Sequence, residues 1–136
     1  MFKVFALSLI CLSFGLVVNG NAQLPTEQNR VTEMTPQYLY KILSVENWKE
    51  SQNLKSVKLA DADHDFIHFS KEDQLARIEE KFWGNVPKYV VLKIDTAKLT
   101  GRLVYEANPG GENKYYHLYN GSIPLNSVVE SKTIVK

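Results

Sequence analysis

Asp65-Phe66-Ile67-His68-Phe69-Ser70-Lys71-Glu72-Asp73-Gln74-Leu75 changes its hydrophobic period part-way along, and that change decides the fold class. From Phe66 to Phe69 the residues are aromatic or branched, the composition of a strand. Beyond Ser70 the apolar residues Leu75, Ile78 and Phe82 recur at helical spacing, with Gly84 placed to end the helix. Ser70 and Asp73 stand three apart, an acidic variant of the capping box, so the helix is expected to start at Ser70.

Working outward, Tyr38 to Leu43 reads as a strand, followed by a helix capped by Ser44 with Glu46 in its first turn. Val45, Trp48 and Gln52 are expected on its core side. Ala60 to Asp65 is a polar loop. Pro87 breaks the chain before Tyr89 to Ile94, a strand apolar enough to be central. Arg102 to Glu106 is a strand, Asn108-Pro-Gly-Gly111 a loop, and Tyr115 to Tyr119 a strand closed by the turn signal Asn120-Gly121. A short turn opens at Pro124. Val128 to Val135 is a final strand with Lys132 as an edge device. Strands that mostly do not alternate with helices point to an α+β domain with two main helices.

The first 22 residues read as a cleavable signal peptide. Lys3 supplies the positive n-region, Val4 to Val18 carry no charge, and Gly20-Asn21-Ala22 puts small residues at −3 and −1. The run is short against the roughly 20 residues of a membrane span. Ile10 before Cys11 argues against a lipidated cysteine. Residues 23–36 are polar, with Pro25 and Pro36, and read as a flexible leader to a single domain over 37–136. Secretion or periplasmic export is the expected destination. Losing the signal peptide removes Cys11, the one cysteine, and Lys3, leaving 15 basic against 15 acidic residues. A mature chain without thiols has no disulfide, cysteine ligand or cysteine nucleophile. Near-zero charge and no long basic run speak against nucleic-acid binding and against electrostatic attachment to a membrane.

Three places could carry chemistry. On the strand ending at Ser70, Phe66, His68 and Ser70 share one face, opposite Ile67 and Phe69. His68 and Ser70 are either a polar site at a helix start, suited to a phosphate, or a backbone-bonded histidine and a simple cap. Tyr115, His117 and Tyr119 share a face that can stack a planar ligand, or else pack beneath a loop. Glu106 ends an apolar strand, where it could orient a ribose hydroxyl or remain solvated. No metal is expected. His64 and His68 are too far apart along a strand to ligate one ion. Asp61, Asp63, Asp65 and Glu72 have calcium-loop spacing, but Phe66 stands where that loop needs glycine. Asn120-Gly-Ser122 fits the N-glycosylation pattern.

The ordered set Tyr38-Leu-Tyr-Lys-Ile42, Trp48, Leu59-Ala-Asp61, Asp65 to Ser70 with Gln74, Phe82, Leu92 to Asp95, Leu103-Val-Tyr-Glu106, Tyr116-His-Leu-Tyr119 and Pro124-Leu125 with Val128 resembles the family called domain of unknown function 952. Departures are Asp65 where the family has glycine, Tyr105 for tryptophan and Tyr115-Tyr116 for Phe-Pro. The resemblance implies a split, mostly antiparallel sheet similar to that of ADP-ribosyltransferases, with a cleft for NAD lined by His68, Glu106 and His117. On that likeness the catalytic candidates are Glu106, His68 and His117. Lys41, Ser70, Tyr115 and Tyr119 are the cofactor-binding candidates, and NAD or another small nucleotide is the ligand. The competing expectation is an exported binding module that keeps the cleft without turnover.

Overall fold

A computed structural model describes residues 34–136, so the signal peptide and most of the leader lie outside the described residues. Six strands form two three-stranded antiparallel sheets. The first has order β1 (Tyr38–Ser44), β3 (Lys88–Asp95), β6 (Val128–Val135), with β3 in the middle as its apolar run requires. The second has order β2 (Ile67–Phe69), β5 (Lys114–Ser122), β4 (Thr100–Ala107). A pair of backbone hydrogen bonds, Tyr40 N–H to Ser70 O (2.8 Å) and Ser70 N–H to Tyr40 O (2.9 Å), ties β1 to the end of β2. The result is a sheet split between β1 and β2, with α1 (Val45–Ser51) and α2 (Leu75–Trp83) as its helices.

Alternation explains the core. Leu39 and Leu43 of β1 face the same side as Val90, Leu92 and Ile94 of β3, and all are buried. In the second sheet Ile67, Phe69, Tyr116 and Leu118 supply the opposing buried face. Every second residue of those same strands therefore points the other way, which places the histidines together.

Three expectations are corrected. The helix does not start at Ser70: a 3-10 turn over Glu72–Gln74 intervenes, the Lys71 N–H donates to Gln74 Oε1 at 2.9 Å, and α2 begins at Leu75. Ser70 is instead held as a strand residue by Tyr40. Gln52 does not face the core, because α1 ends at Ser51. Ser51 is the buried residue, donating to Asn47 O (2.6 Å) and accepting from the Lys58 N–H (2.8 Å). Ser44 does cap α1, accepting from the Asn47 N–H at 3.1 Å.

Asn120-Gly121 does not end β5. The strand continues to Ser122 through a bulge, with Asn120 at φ 50° and Gly101 opposite at φ 111°. A Cβ on Gly121 would sit 1.8 Å from the Thr100 carbonyl oxygen, so only glycine permits the crossing.

Leu92 is fully buried between both neighbours of the central strand. Leu92→Ala is expected to destabilise the protein by about 2–5 kcal/mol, read as a lower midpoint in urea unfolding. Val135→Ala, at an exposed edge position, is expected to stay within about 0.5 kcal/mol of the wild type.

Candidate functional site

Register brings the polar residues together. His68 of β2 lies opposite His117 of β5, and His117 lies opposite Val104 of β4. Tyr115 pairs with Glu106 and Tyr119 with Arg102. The face of the second sheet that turns away from the core therefore carries His68, His117, Tyr115, Tyr119 and Glu106. Phe66 seals it, its ring stacked 4.1 Å from the His117 centroid and 4.8 Å from that of His68. The two imidazoles are themselves 5.3 Å apart.

Two polar groupings result. The first is built on Asp63, from the 3-10 turn Asp61–Asp63. One oxygen of Asp63, Oδ1, accepts from Lys41 Nζ at 2.7 Å and from the His68 backbone N–H at 3.0 Å, and lies 3.0 Å from His68 Nδ1. Lys41 Nζ also donates to the His68 carbonyl at 3.0 Å. Lys41 and Asp63 are both nearly excluded from solvent. Burial, the largest influence on Asp63, pushes its carboxyl up. Hydrogen bonding from His68 and the charge of Lys41 together outweigh it and hold the group below the usual carboxylate range. Burial lowers the Lys41 ammonium, opposed by Asp63.

The second grouping is Glu106, His117, Tyr119 and Asn108. Glu106 Oε1 accepts from the Tyr119 hydroxyl and sits 3.1 Å from His117 Nδ1, while His117 Nε2 lies 2.8 Å from the Asn108 side-chain amide. The Tyr119 and His117 hydrogen bonds hold the Glu106 carboxyl low. The same bond to Glu106 raises the Tyr119 phenol. Burial lowers His117, partly opposed by Glu106. A neutral imidazole has one N–H. It can therefore donate to Glu106 Oε1 or to Asn108 Oδ1, which lies at Nε2, but not to both at once. The Arg102 guanidinium covers the Tyr119 ring at 4.9 Å.

A cleft of ≈ 330 Å³ opens beside the first grouping, at the split between β1 and β2. Lys41, Asp63, His68, Ser70, Asn108 and Tyr115 form its polar part. Ile78, Phe82 and Trp83 of α2 form an apolar wall. The sequence pattern marks Ile78 and Phe82, with Leu75, as one helical face without saying what that face meets. The structure sends it to the cleft, leaving Phe82 60% exposed. Of the residues singled out from sequence, Lys41, His68, Ser70 and Tyr115 line the cleft. Glu106, His117 and Tyr119 do not: they form the neighbouring network behind Phe66. The start of the 3-10 turn, which carries Glu72 and Asp73, borders a separate groove with Lys71. A phosphate at Ser70 therefore gains no helix terminus.

Sequence reasoning missed Asp63 as a partner of His68, since it is one of three alternating acids and the other two are exposed. It missed Asn108, although the strand alternation that includes Glu106 continues to it. No group of three or more His, Cys, Asp or Glu among the described residues is arranged to hold a metal.

Residues 42–131 match the family described as "Protein of unknown function (DUF952)". No curated protein matches the chain. Among solved structures, the crystal structure of protein CC0527 from Caulobacter crescentus is 26% identical, with TM-score 0.60. Its solution NMR structure is 26% identical, with TM-score 0.61. Each comparison covers 71% of this chain and 84% of the other. These names mention neither NAD nor ADP-ribosyl transfer.

The low Asp63 carboxyl has a consequence for acid stability. Its depressed folded value makes it stabilising above the unfolded aspartate value of about 3.9, and that contribution is lost as pH falls through the folded value. Wild-type stability is expected to decline below about pH 4 more steeply than that of Asp63→Asn. At neutral pH Asp63→Ala, which leaves Lys41 buried and unpaired, is expected to cost about 3–5 kcal/mol. Urea melts across the pH range check both.

Proposed function

Since the chain belongs to the DUF952 family, whose description assigns no activity, we propose from the site that it binds a small ribose-bearing ligand in this cleft, with NAD the ligand to test. The supporting observation is the convergence of Lys41, His68, Ser70 and Tyr115 on one cleft with an apolar wall. Small-molecule sites combine mostly apolar walls with a few placed polar groups, in volumes of about 300–1,000 Å³. The cleft is at the lower end of that range and suits one end of a dinucleotide. Tyr115 and Trp83 offer ring faces for a planar base. His68 and Ser70, two apart on one strand, place their side chains about 6–7 Å apart, a span that a pentose can bridge.

ADP-ribosyl transfer, on an ADP-ribosyltransferase-like fold, is the finer reading. Nicotinamide would leave, and an oxocarbenium-like ribose stabilised by Glu106 would be attacked by an acceptor. Glu106 is outside the cleft lining, and its Oε1 is engaged by His117 and Tyr119. The geometry therefore favours binding over turnover. Export through the signal peptide belongs to the same proposal. Among the described residues no helix is long and apolar enough to cross a membrane.

Isothermal titration with NAD is expected to show binding that weakens about tenfold or more in His68→Ala and changes little in Glu106→Ala. Equal loss in both variants, with NAD hydrolysis by the wild type, would favour the transferase reading. No heat at millimolar NAD would remove NAD as the ligand. A host-secreted form is expected to begin at Gln23 by N-terminal sequencing.

A further inference from the structure

Asp63 Oδ1 is an acceptor on three sides. Lys41 Nζ, at 2.7 Å, and the His68 backbone N–H, at 3.0 Å, can only donate to it. The third neighbour, His68 Nδ1 at 3.0 Å, must therefore carry the proton to make a favourable contact. A histidine that donates from Nδ1 keeps, in its neutral form, a lone pair at Nε2. His68 lines the cleft, and 40% of its side chain is exposed.

Resting on the cleft reading above, we propose that His68 is the specificity-determining acceptor of the site. Asp63, held in place by Lys41, fixes its Nδ1–H tautomer, so that Nε2 selects a ligand group bearing an O–H or N–H donor, such as a ribose hydroxyl, and rejects an oxyanion in that position. The ionised diester phosphates of a dinucleotide offer only lone pairs, and against a neutral Nε2 they find no proton. Ser70 Oγ, next along the same face, can donate or accept and serves a second hydroxyl. This distinguishes the two chemistries that His68 and Ser70 could serve, the sugar and the phosphate of a nucleotide, in favour of the sugar.

Four elements besides its own strand bring titratable or charged groups to bear on His68. Asp63 comes from the 3-10 turn and Lys41 from β1. His117 of β5 lies edge-on at 5.3 Å, with Glu106 of β4 behind it. The parts of α2 at the cleft, Ile78, Phe82 and Trp83, are uncharged. Protonating His68 converts Nε2 from acceptor to donor, which removes the lone pair that a donating hydroxyl needs.

Long-range proton–nitrogen NMR of the full chain reads the tautomer directly. In its neutral form His68 is expected to carry its proton on Nδ1, and Asp63→Ala, which removes the acceptor, is expected to shift the proton toward Nε2. NAD affinity is expected to weaken about tenfold once His68 is protonated, and millimolar sulfate, an oxyanion with no O–H at neutral pH, is expected to leave the resonances of neutral His68 in place. An Nε2–H tautomer in the wild type, tighter NAD binding on protonation, or sulfate-induced shifts at neutral His68 would each overturn the inference. The wild-type tautomer needs no variant, so misfolding of Asp63→Ala does not obscure it. An Nδ1–H tautomer with no NAD binding at any pH overturns the choice of ligand and supports the acceptor.

Discussion

The ammonium of Lys41 and the carboxylate of Asp63 meet at 2.7 Å, almost fully out of water. Lys41 occupies the buried phase of β1, between Leu39 and Leu43. A charge there is costly unless it is paired and hydrogen-bonded. Asp63 meets that requirement, and two groups of His68 with the His68 carbonyl complete the set of partners. The ion pair therefore fixes a loop, the edge of a strand and the orientation of one imidazole together. Replaced by apolar residues it could leave the core as stable or more so. What would be lost is the specified position of His68.

The strands were readable from residue order because burial imposes period two. Tyr89 to Ile94 could only be central, and the shared faces of Phe66, His68 and Ser70 and of Tyr115, His117 and Tyr119 follow from the pleat. Sheet pairing was another matter. No local pattern states that β2 lies beside β5, which sets His68 against His117, or that Phe66 folds over both. Asp63 was hidden among Asp61 and Asp65 because the turn that buries one and exposes the others is set by Lys41, 22 residues earlier. The stripe on α2 was legible as apolar, but its destination was not: period 3.6 identifies a face, and tertiary packing decides what that face meets.

His117 and Glu106 illustrate how a polar cluster can be structural in form while adjoining a cleft. Every hydrogen-bonding atom of the His117 ring is engaged, and Phe66 covers its face. Such a closed network has little freedom to meet a ligand. It gives the open grouping around His68 a stiff backing, since the two rings share an edge-on contact. The division of labour between a sealed histidine and an open one separates the two candidate roles, support and recognition, along a single sheet.

The bridge between Tyr40 and Ser70 joins β1 to β2 at one point, and the cleft opens from that point. The arrangement works like tweezers whose pivot is a pair of backbone hydrogen bonds, with no side-chain identity required at the pivot. Ala60, Ala62 and Asp63, from the loop between Ala60 and Asp65, line one side of that cleft. Loops tolerate changes in length better than cores do. Relatives built on this plan could admit ligands of different girth by lengthening or shortening that one span, while the pivot and both sheets stay as they are.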